Sequence, residues 1–398
     1  MNLEQSVEDK AFAKEVRKFL DEHLPEERRY AYNSMEHADK DVMLWWHEKL
    51  AQNGWLVPAW PSEFGGPGWS LNQRHIFQQE CQKAGAPQIS IFGPLMVGPV
   101  VYTFGSDAQK QRFLPGIENG TELWCQGYSE PGAGSDLASL KTRADRDGEH
   151  YVVNGQKIWT TQAHWADWIF CLVRTRWDVK AQEGISFLLI DMSSPGIEVR
   201  PIVSIDGLHH LNEVYLTDVR VPISNLVGEE NKGWTYAKFL LEHERGGIAN
   251  TAESRAKLAR LREMARSRTS FSEPPIEDPG FATRLTELEM RLDALEVTEA
   301  RALSANGGSI DAVKLALPLK LLGTELQQDI ADLCVELVGY GAAPCFYEPT
   351  FTPGSNQSSI FETGPKLVQS QFFGRASTIY GGTSEIQKNI MTKMILQV

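Results

Sequence analysis

Several things this chain lacks narrow what it can be. It has only five cysteines, Cys81, Cys125, Cys171, Cys334 and Cys345, and none stand as a CxxC pair. That spacing holds no zinc knuckle, no other metal-ligand pattern and no disulfide framework. A sparse, odd count points to a reducing compartment. No apolar run reaches the roughly 18 residues needed to cross a membrane. The opening MNLEQSVEDKAF is acidic and amphipathic, without the apolar core of a signal peptide, so a cytoplasmic location is expected. Positive charge is in deficit, with 39 Lys and Arg against 52 Asp and Glu and a formal charge of -13. That balance argues against nucleic acid as a partner, though a local basic pocket could still take a small anion. The phosphate-binding patterns GxGxxG and GxxxxGK[ST] are both missing. There is no internal repeat and no low-complexity tract.

What is there reads as a globular protein. The 398 residues are 42% hydrophobic and 23% charged, enough for two or three cores. Phe12, Val16 and Phe19 fall at helical spacing, as do Val42, Trp45, Trp46, Leu50 and Trp55, and helical pattern returns near Leu71 and through Asp107–Ile117. Between them the Pro/Gly-rich Pro58–Pro67 must be loop. Near Leu123 the character changes to short β-branched and aromatic runs: Tyr151–Val153, Trp168–Arg174, Ile185–Asp191, Gly196–Pro201 and Glu213–Val221. Asn154-Gly155 reads as a tight turn after the first of these. From Gly233 the helical period resumes, with one long helix expected to about Ser267 and further helices over Phe281–Ala305 and Ile310–Val338. A Gly/Pro/Ser-rich insert spans about 341–359, and a last helix starts near Gly382–Thr383. The expected domains are therefore 1–122 helical, 123–232 antiparallel β, and 233–398 helical. A β-domain set between helical ones creates an interdomain cleft, a common place for a ligand.

The segment SEPGAGSD (129–136) offers glycines and hydroxyls at strand ends. Locally it is either a loop that presents N–H groups to a phosphate or a polar ring edge, or a tight turn with solvated Ser and Asp. Its wider context is more specific. Residues 125–162, running from Cys125 through Lys157-Ile-Trp159-Thr-Thr161-Gln162, resemble the flavin-binding signature of the acyl-CoA dehydrogenase family. TIYGGTSEIQKNI (378–390) resembles its C-terminal signature. The resemblance covers nearly the whole chain. WCQGYSEP, ADWIFCLVRT, EGISFLLIDM and GEENKGWTYAKFLLEHER look like the large-subunit branch that includes pimeloyl-CoA dehydrogenase. This implies an α+β acyl-CoA dehydrogenase-like fold: an N-terminal helical domain, a middle antiparallel β-domain and a C-terminal four-helix bundle.

The family's site carries over residue by residue. Gln126, Tyr128 and Ser129 would line the flavin edge of FAD, largely through backbone groups. Trp159 and Thr161 would cover its other side, with Thr161 reaching N5 and tuning the acceptor. By itself, Trp159 could equally be a core aromatic. Ser135 resembles the position that touches CoA, or is a turn serine. Arg268, in Arg268-Thr-Ser-Phe271-Ser272, resembles the diphosphate contact of Arg-x-x-Phe-Gly, with serine replacing the glycine. Glu336-Leu-Val-Gly339-Tyr340-Gly341 resembles Gln-x-x-Gly-Gly, with Glu replacing Gln. Thr383 and Glu385, at the last helix N-terminus, match positions near the ribityl and adenine parts, where free N–H groups suit phosphate. Tyr380 and Arg245 fall on the substrate side.

Many relatives carry a catalytic Glu just after the signature tyrosine. This chain has Gly381 there, which has no proton acceptor but can still donate its N–H to a thioester carbonyl. The family's other placement of the base, just before a recurring Arg on the helix opening the last domain, is Glu244 in Leu241-Glu-His-Glu-Arg245. Removing a weakly acidic α-hydrogen needs a held carboxylate and a polarised carbonyl. A dry, apolar setting would tune that carboxylate. Read alone, Glu244 fits a helix-face ion pair, and Glu242 competes for the role. The two point roughly 200° apart on a helix, so only one can face the cleft. The resemblance implies FAD-dependent α,β-dehydrogenation of an acyl-CoA to a trans-2-enoyl-CoA, with electrons passing to an electron-transfer flavoprotein. It implies a homo-oligomer, dimer or tetramer, or a hetero-oligomer of two related chains. A flavin monooxygenase, oxidase or desulfinase on the same fold and a non-catalytic partner subunit are the alternatives. Gly246-Gly247 would leave room for a branched, ring-bearing or dicarboxylic acyl chain. His209, His210 and Arg174 are possible carboxylate partners on composition only.

Overall fold

The helical period of the first part becomes five helices: α1 (Val7–His23), α2 (Lys40–Gln52), α3 (Leu71–Ala84), α4 (Gly98–Phe104) and α5 (Asp107–Glu118). The computed structural model describes residues 6–29, 39–245, 249–266, 273–304, 310–339 and 359–396, and the side chains of 242–245, 303–304, 310–315, 359–363, 365 and 396 lie outside that description. Helices α1, α3 and α5 each open with a reciprocal capping box, Ser6/Asp9, Ser70/Gln73 and Ser106/Gln109. Each box satisfies two N–H groups that the helix start would leave unpaired. The apolar faces close on one another through Phe12, Val16, Phe19, Trp46, Leu50, Trp55, Trp69 and Phe77. Residues 58–67 hold only a single short turn of 3-10 helix. Phe92–Val97 is wound as a π-helix and runs straight into α4.

The β-region is one seven-stranded sheet: β1 (Trp124–Gly127), β2 (Arg143–Asp147), β3 (His150–Lys157), β4 (Trp168–Arg174), β5 (Ile185–Asp191), β6 (Ile197–Val203) and β7 (His209–Pro222). Its order is β1-β4-β2-β3-β7-β6, with β5 also paired to β4. Most ladders are antiparallel, but β1 runs parallel to β4, and β2 meets β4 in parallel at Arg143 and Arg174. Parallel neighbours need a crossover rather than a hairpin, and residues 128–167 between β1 and β4 supply it. Strands β4 and β5 are buried on both faces. Phe170, Leu172, Phe187 and Leu189 join Val97, Val100, Phe113 and Leu240 on one side, while Ile169, Cys171, Val173, Leu188 and Ile190 join Tyr151, Val153, Val214 and Val219 on the other.

Asn154-Gly155 is not a turn. It lies inside β3 at a shift of register against β7 between Val153 and Gly155. A Cβ on Gly155 would stand 2.4 Å from Thr142 Oγ1, so the glycine answers a close approach. The β2–β3 hairpin turns instead at Gly148-Glu149, where Gly148 has φ +59°.

The last part comprises α6 (Gly233–Arg245), α7 (Thr251–Arg266), α8 (Pro279–Ser304), α9 (Ile310–Val338), α10 (Ser359–Gly374) and α11 (Ser384–Leu396). The single helix expected from Gly233 to Ser267 is thus two. The second starts after Asn250, which sits at φ +48°, outside helical geometry. Leucines of α7, α8 and α9, among them Leu258, Leu285, Leu292, Leu326 and Leu333, form the core, and α10 and α11 both pack on α9. The insert expected at about 341–359 lies outside the described residues up to Ser359, where α10 begins. Among the described residues no helix is long and apolar enough to cross a membrane.

Candidate active site

Two of the segments singled out in the sequence lie side by side. The Ile158 N–H donates to Ser129 O at 3.0 Å, bringing Trp159–Thr161 against Gln126–Ser129. Trp159 has φ +59°, a left-handed conformation strained for any residue but glycine, and its indole is 58% exposed. That strain is imposed from both flanks: Ile158 is tied to Ser129 on one side, and on the other Thr160 N–H donates to Asn212 O at 2.9 Å while Asn212 Nδ2 donates to Thr160 O at 2.9 Å. Gln162, also left-handed at φ +60°, donates its N–H to His210 O at 2.9 Å. Asn212 is completely buried and also bonds His209 Nε2 (2.8 Å) and His164 Nδ1 (3.0 Å). Burial, then the neighbouring His209, lower the His164 pKa to about 4, so this imidazole stays neutral.

The loop after β1 is braced from beneath. Glu130 and Ala133 close a tight turn through paired backbone bonds of 3.0 Å, which leaves Gly134, Ser135 and Asp136 exposed beyond it. Lys157, with 0% exposure, places Nζ 2.8 Å from Glu130 Oε1, 3.3 Å from Tyr128 O and 2.8 Å from Leu172 O. Burial alone would raise the Glu130 carboxyl. Lys157 and the N–H groups of Lys141 and Thr142 outweigh it and hold the carboxyl below its ordinary value. Arg174 is buried and donates to the carbonyls of Ala138, Leu140 and Ala181. It braces the same loop, which corrects the suggestion that it could receive a substrate carboxylate.

The second cluster is the turn between α10 and α11. Gly381 and Gly382 have φ +63° and +90°, and Tyr380 is 40% exposed. Thr383 caps α11, its hydroxyl accepting from Ile386 N–H at 3.2 Å. The exposed Glu385 carboxyl is held below its ordinary value by its own backbone N–H and by Thr383. Helix α9 grips this turn: Lys320 Nζ donates to Ser377 O (3.0 Å) and Gly382 O (2.8 Å). Two turns further along, α9 reaches the break between α6 and α7, where Gln327 Nε2 donates to Ala249 O at 3.2 Å.

Glu244 and Arg245 close α6, whose body packs on β5, the π-helical segment and α4. Their side chains lie outside the described residues, as does Arg268 entirely. Glu336 is engaged within the chain, forming a two-pronged ion pair with Arg284 of α8 that holds its carboxyl low. Among the described residues no hydrogen bond joins the 126–161 cluster directly to the 380–385 turn.

The β-domain cluster fits the ring of FAD. Gln126 Nε2 and Thr160 Oγ1 are buried with no hydrogen-bond partner among the described residues, next to an outward-facing indole. Unpaired buried polar atoms beside an exposed flat aromatic suit a planar ring with polar edges. The buried Lys157, Lys320 and Asn212 were not foreseen. For Lys320 the signal was a lone cation in an apolar run, Leu-Ala-Leu-Pro-Leu-Lys320-Leu-Leu; Lys157 follows the polar Asn154-Gly155-Gln156 and had no such signal.

Family models for the acyl-CoA dehydrogenase N-terminal, middle and C-terminal domains match residues 6–121, 125–219 and 231–396. The chain is 36% identical to acyl-CoA dehydrogenase IpdE1 of Mycobacterium tuberculosis (strain ATCC 25618 / H37Rv), over 98% of each. Its fold superposes on a solved structure described as the Tcur3481-Tcur3483 steroid ACAD with TM-score 0.85 at 28% identity, covering 100% of this chain and 99% of that one. It also superposes on one chain of the crystal structure of the ChsE4-ChsE5 complex from Mycobacterium tuberculosis with TM-score 0.82 at 31% identity, covering 100% of this chain and 99% of that one.

Proposed function

Because the chain belongs to the acyl-CoA dehydrogenase family, an FAD-dependent group of oxidoreductases acting on CH–CH bonds, we propose that it dehydrogenates an acyl-CoA to the trans-2-enoyl-CoA with Glu244 as its base. The observation that carries this reading is the shared anchorage on α9. The same helix holds the chain just beyond Glu244, at Ala249, and the turn bearing Gly381. Gly381 has no side chain to take a proton, whereas Glu244 closes the helix that enters this anchorage.

In the proposed step the thioester carbonyl accepts from Gly381 N–H, which draws charge onto oxygen as the α-proton moves to the Glu244 carboxylate. Bound FAD supplies the acceptor for the β-hydrogen and its electron pair. Trp159 and Thr161 would cover one side of that ring, Gln126, Tyr128 and Ser129 would line its edge, and Thr383 and Glu385 would meet its ribityl and adenine parts, with Arg268 serving the diphosphate. Ser135, Arg245 and Tyr380 attend the CoA and acyl portions. The β-domain cluster contributes orientation, because its backbone is tied at both ends before any ligand arrives. Electrons pass on to an electron-transfer flavoprotein. The working form is an oligomer, dimer or tetramer. Pairing with a second related chain is supported by likeness to the ChsE4-ChsE5 complex.

For the acyl group we propose a bulky, ring-bearing class, supported by likeness to a structure described as a steroid ACAD. A dicarboxylic chain, suggested by likeness to the pimeloyl branch, has less support because Arg174 already donates to three backbone carbonyls. The test is anaerobic titration of the FAD-bound protein with short linear, branched, dicarboxylic, aromatic and steroid acyl-CoAs, following flavin absorbance. Bleaching by the ring-bearing class, abolished in Glu244→Gln, is the expected result. Bound FAD that no acyl-CoA bleaches would refute the reading and favour oxidase, monooxygenase or desulfinase chemistry. A chain that holds FAD only with a partner would be a subunit of a mixed assembly.

A further inference from the structure

We propose that Lys320 is a positioning residue for the Gly381 amide, and that α9 uses it to set that amide against the end of α6. This rests on the dehydrogenation reading above.

Lys320 is 2% exposed, in the middle of an otherwise apolar stretch of α9. A buried ammonium is unfavourable by several kcal/mol unless its donors are well used. Here Nζ donates to Ser377 O and Gly382 O, at the two ends of the turn that contains Gly381. That turn has little stiffness of its own. Gly381 and Gly382 occupy consecutive left-handed conformations that glycine enters and leaves freely. Its rigidity comes from outside. Gln387 Nε2 donates to Gly381 O at 3.2 Å while Lys320 fixes the next carbonyl, so both peptide planes after the Gly381 amide are held. Among the described residues nothing accepts from the Gly381 N–H, which remains available to a ligand.

Beyond Lys320 the grip is continued by two residues four apart, Gln328 and Asp332. Gln328 Nε2 donates to the carbonyls of Gly374 and Arg375 and to the hydroxyls of Ser377 and Thr378. Asp332 pairs with Arg375 and accepts from Gln371 at 2.7 Å. One turn past Lys320, Gly323 passes so close to Ala249 that a Cβ would lie 2.7 Å from its carbonyl oxygen, and Gln327 bonds that same oxygen. Helix α9 therefore fixes both the donor turn and the segment following Glu244.

The test uses the FAD-bound protein and the variants Lys320→Met and Lys320→Gln, with Glu325→Gln, at an exposed position of α9, as a neutral comparison. Two quantities are read: hydrogen exchange of a peptide covering 376–384, and the split of kcat and KM for the bleaching acyl-CoA. We expect exchange at least about 10-fold faster in both Lys320 variants. We expect kcat lower by at least about 10-fold, with KM within about threefold, the pattern of an interaction made in the transition state. Lys320→Gln keeps one donor and should fold even if Lys320→Met does not. Unchanged exchange, or faster exchange with kcat within about twofold of the parent, would overturn the proposal. A parent protein that no acyl-CoA bleaches overturns the dehydrogenation reading instead, and exchange then decides alone whether Lys320 holds the turn.

Discussion

Replacing Lys157 with Met tests whether the strand and loop beside the flavin segment depend on one buried ion pair. The substitution keeps length and bulk, so little cavity is created. It removes three donors, to Glu130 Oε1, Tyr128 O and Leu172 O, and leaves the Glu130 carboxylate buried with two amide donors and without its ion-pair partner. Removing one partner of a buried pair destabilises by about 3–5 kcal/mol. At a urea slope of about 3 kcal/mol/M this lowers the unfolding midpoint by roughly 1–2 M. The sign with pH follows from Glu130, whose carboxyl is held below its ordinary value by Lys157 and the amides. Its contribution is complete above the unfolded carboxyl pKa and is lost as pH falls through the lower folded value. The gap between parent and variant should therefore be widest near neutral pH and shrink in acid. Urea unfolding followed by tryptophan fluorescence and flavin release measures both. Adding Glu130→Gln to Lys157→Met should recover part of the loss by removing the stranded charge. A midpoint within 0.5 M of the parent on the order-of-magnitude scale above, or a double variant no better than the single, would refute the argument.

Trp159→Gly should release FAD more readily while leaving the cofactor-free protein as stable or slightly more stable, since it removes an exposed indole and about 1 kcal/mol of left-handed strain. Thermal unfolding with and without FAD reads the two effects separately. His47 is buried, accepts Ser90 N–H at 3.0 Å, and is lowered by burial from 6.5 to about 4. Between those values only the unfolded chain is protonated, so stability should fall with decreasing pH by up to about 1.4 kcal/mol per unit. His47→Asn should flatten that slope in urea titrations between pH 4 and 7. Gly323→Ala would force a Cβ against the Ala249 backbone, with an expected loss of about 1–3 kcal/mol and a lower kcat. An unchanged melting temperature would show that α9 yields there.

Much of the fold was legible because it is local. The strands Trp168–Arg174 and Ile185–Asp191 and the helix Ile310–Val338 have the bounds their apolar runs suggest. Where sequence reading failed, a distant contact decided. Asn154-Gly155 carries the strongest local turn signal, yet Thr142 approaching from β2's side makes the glycine a bulge within a strand. The apolar period from Gly233 to Ser267 runs through a break set by Asn250 and by α9 pressing on Ala249. The candidate site divides in the same way. Trp159 and Gly381 are marked by motifs, but the groups that hold them, Asn212 and Lys320, come from elements 53 and 61 residues away along the numbering. Neither pairing leaves a trace in local spacing.

The anchorage on α9 bears on how this protein could change over generations. Lys320 and Gln327 stand seven residues apart, two turns and about 10 Å along the helix, so both face nearly the same way. A substitution between them alters one side chain. A single-residue insertion or deletion there would swing one anchor about 100° around the axis relative to the other and shift it by about 1.5 Å. The Gly382 and Ala249 carbonyls could then no longer both be reached. Between the two anchors the exposed positions, Leu322 and Glu325, should therefore tolerate changes of letter while the span tolerates almost none of length, and a library of one-residue indels scanned along α9 should lose function most sharply within it.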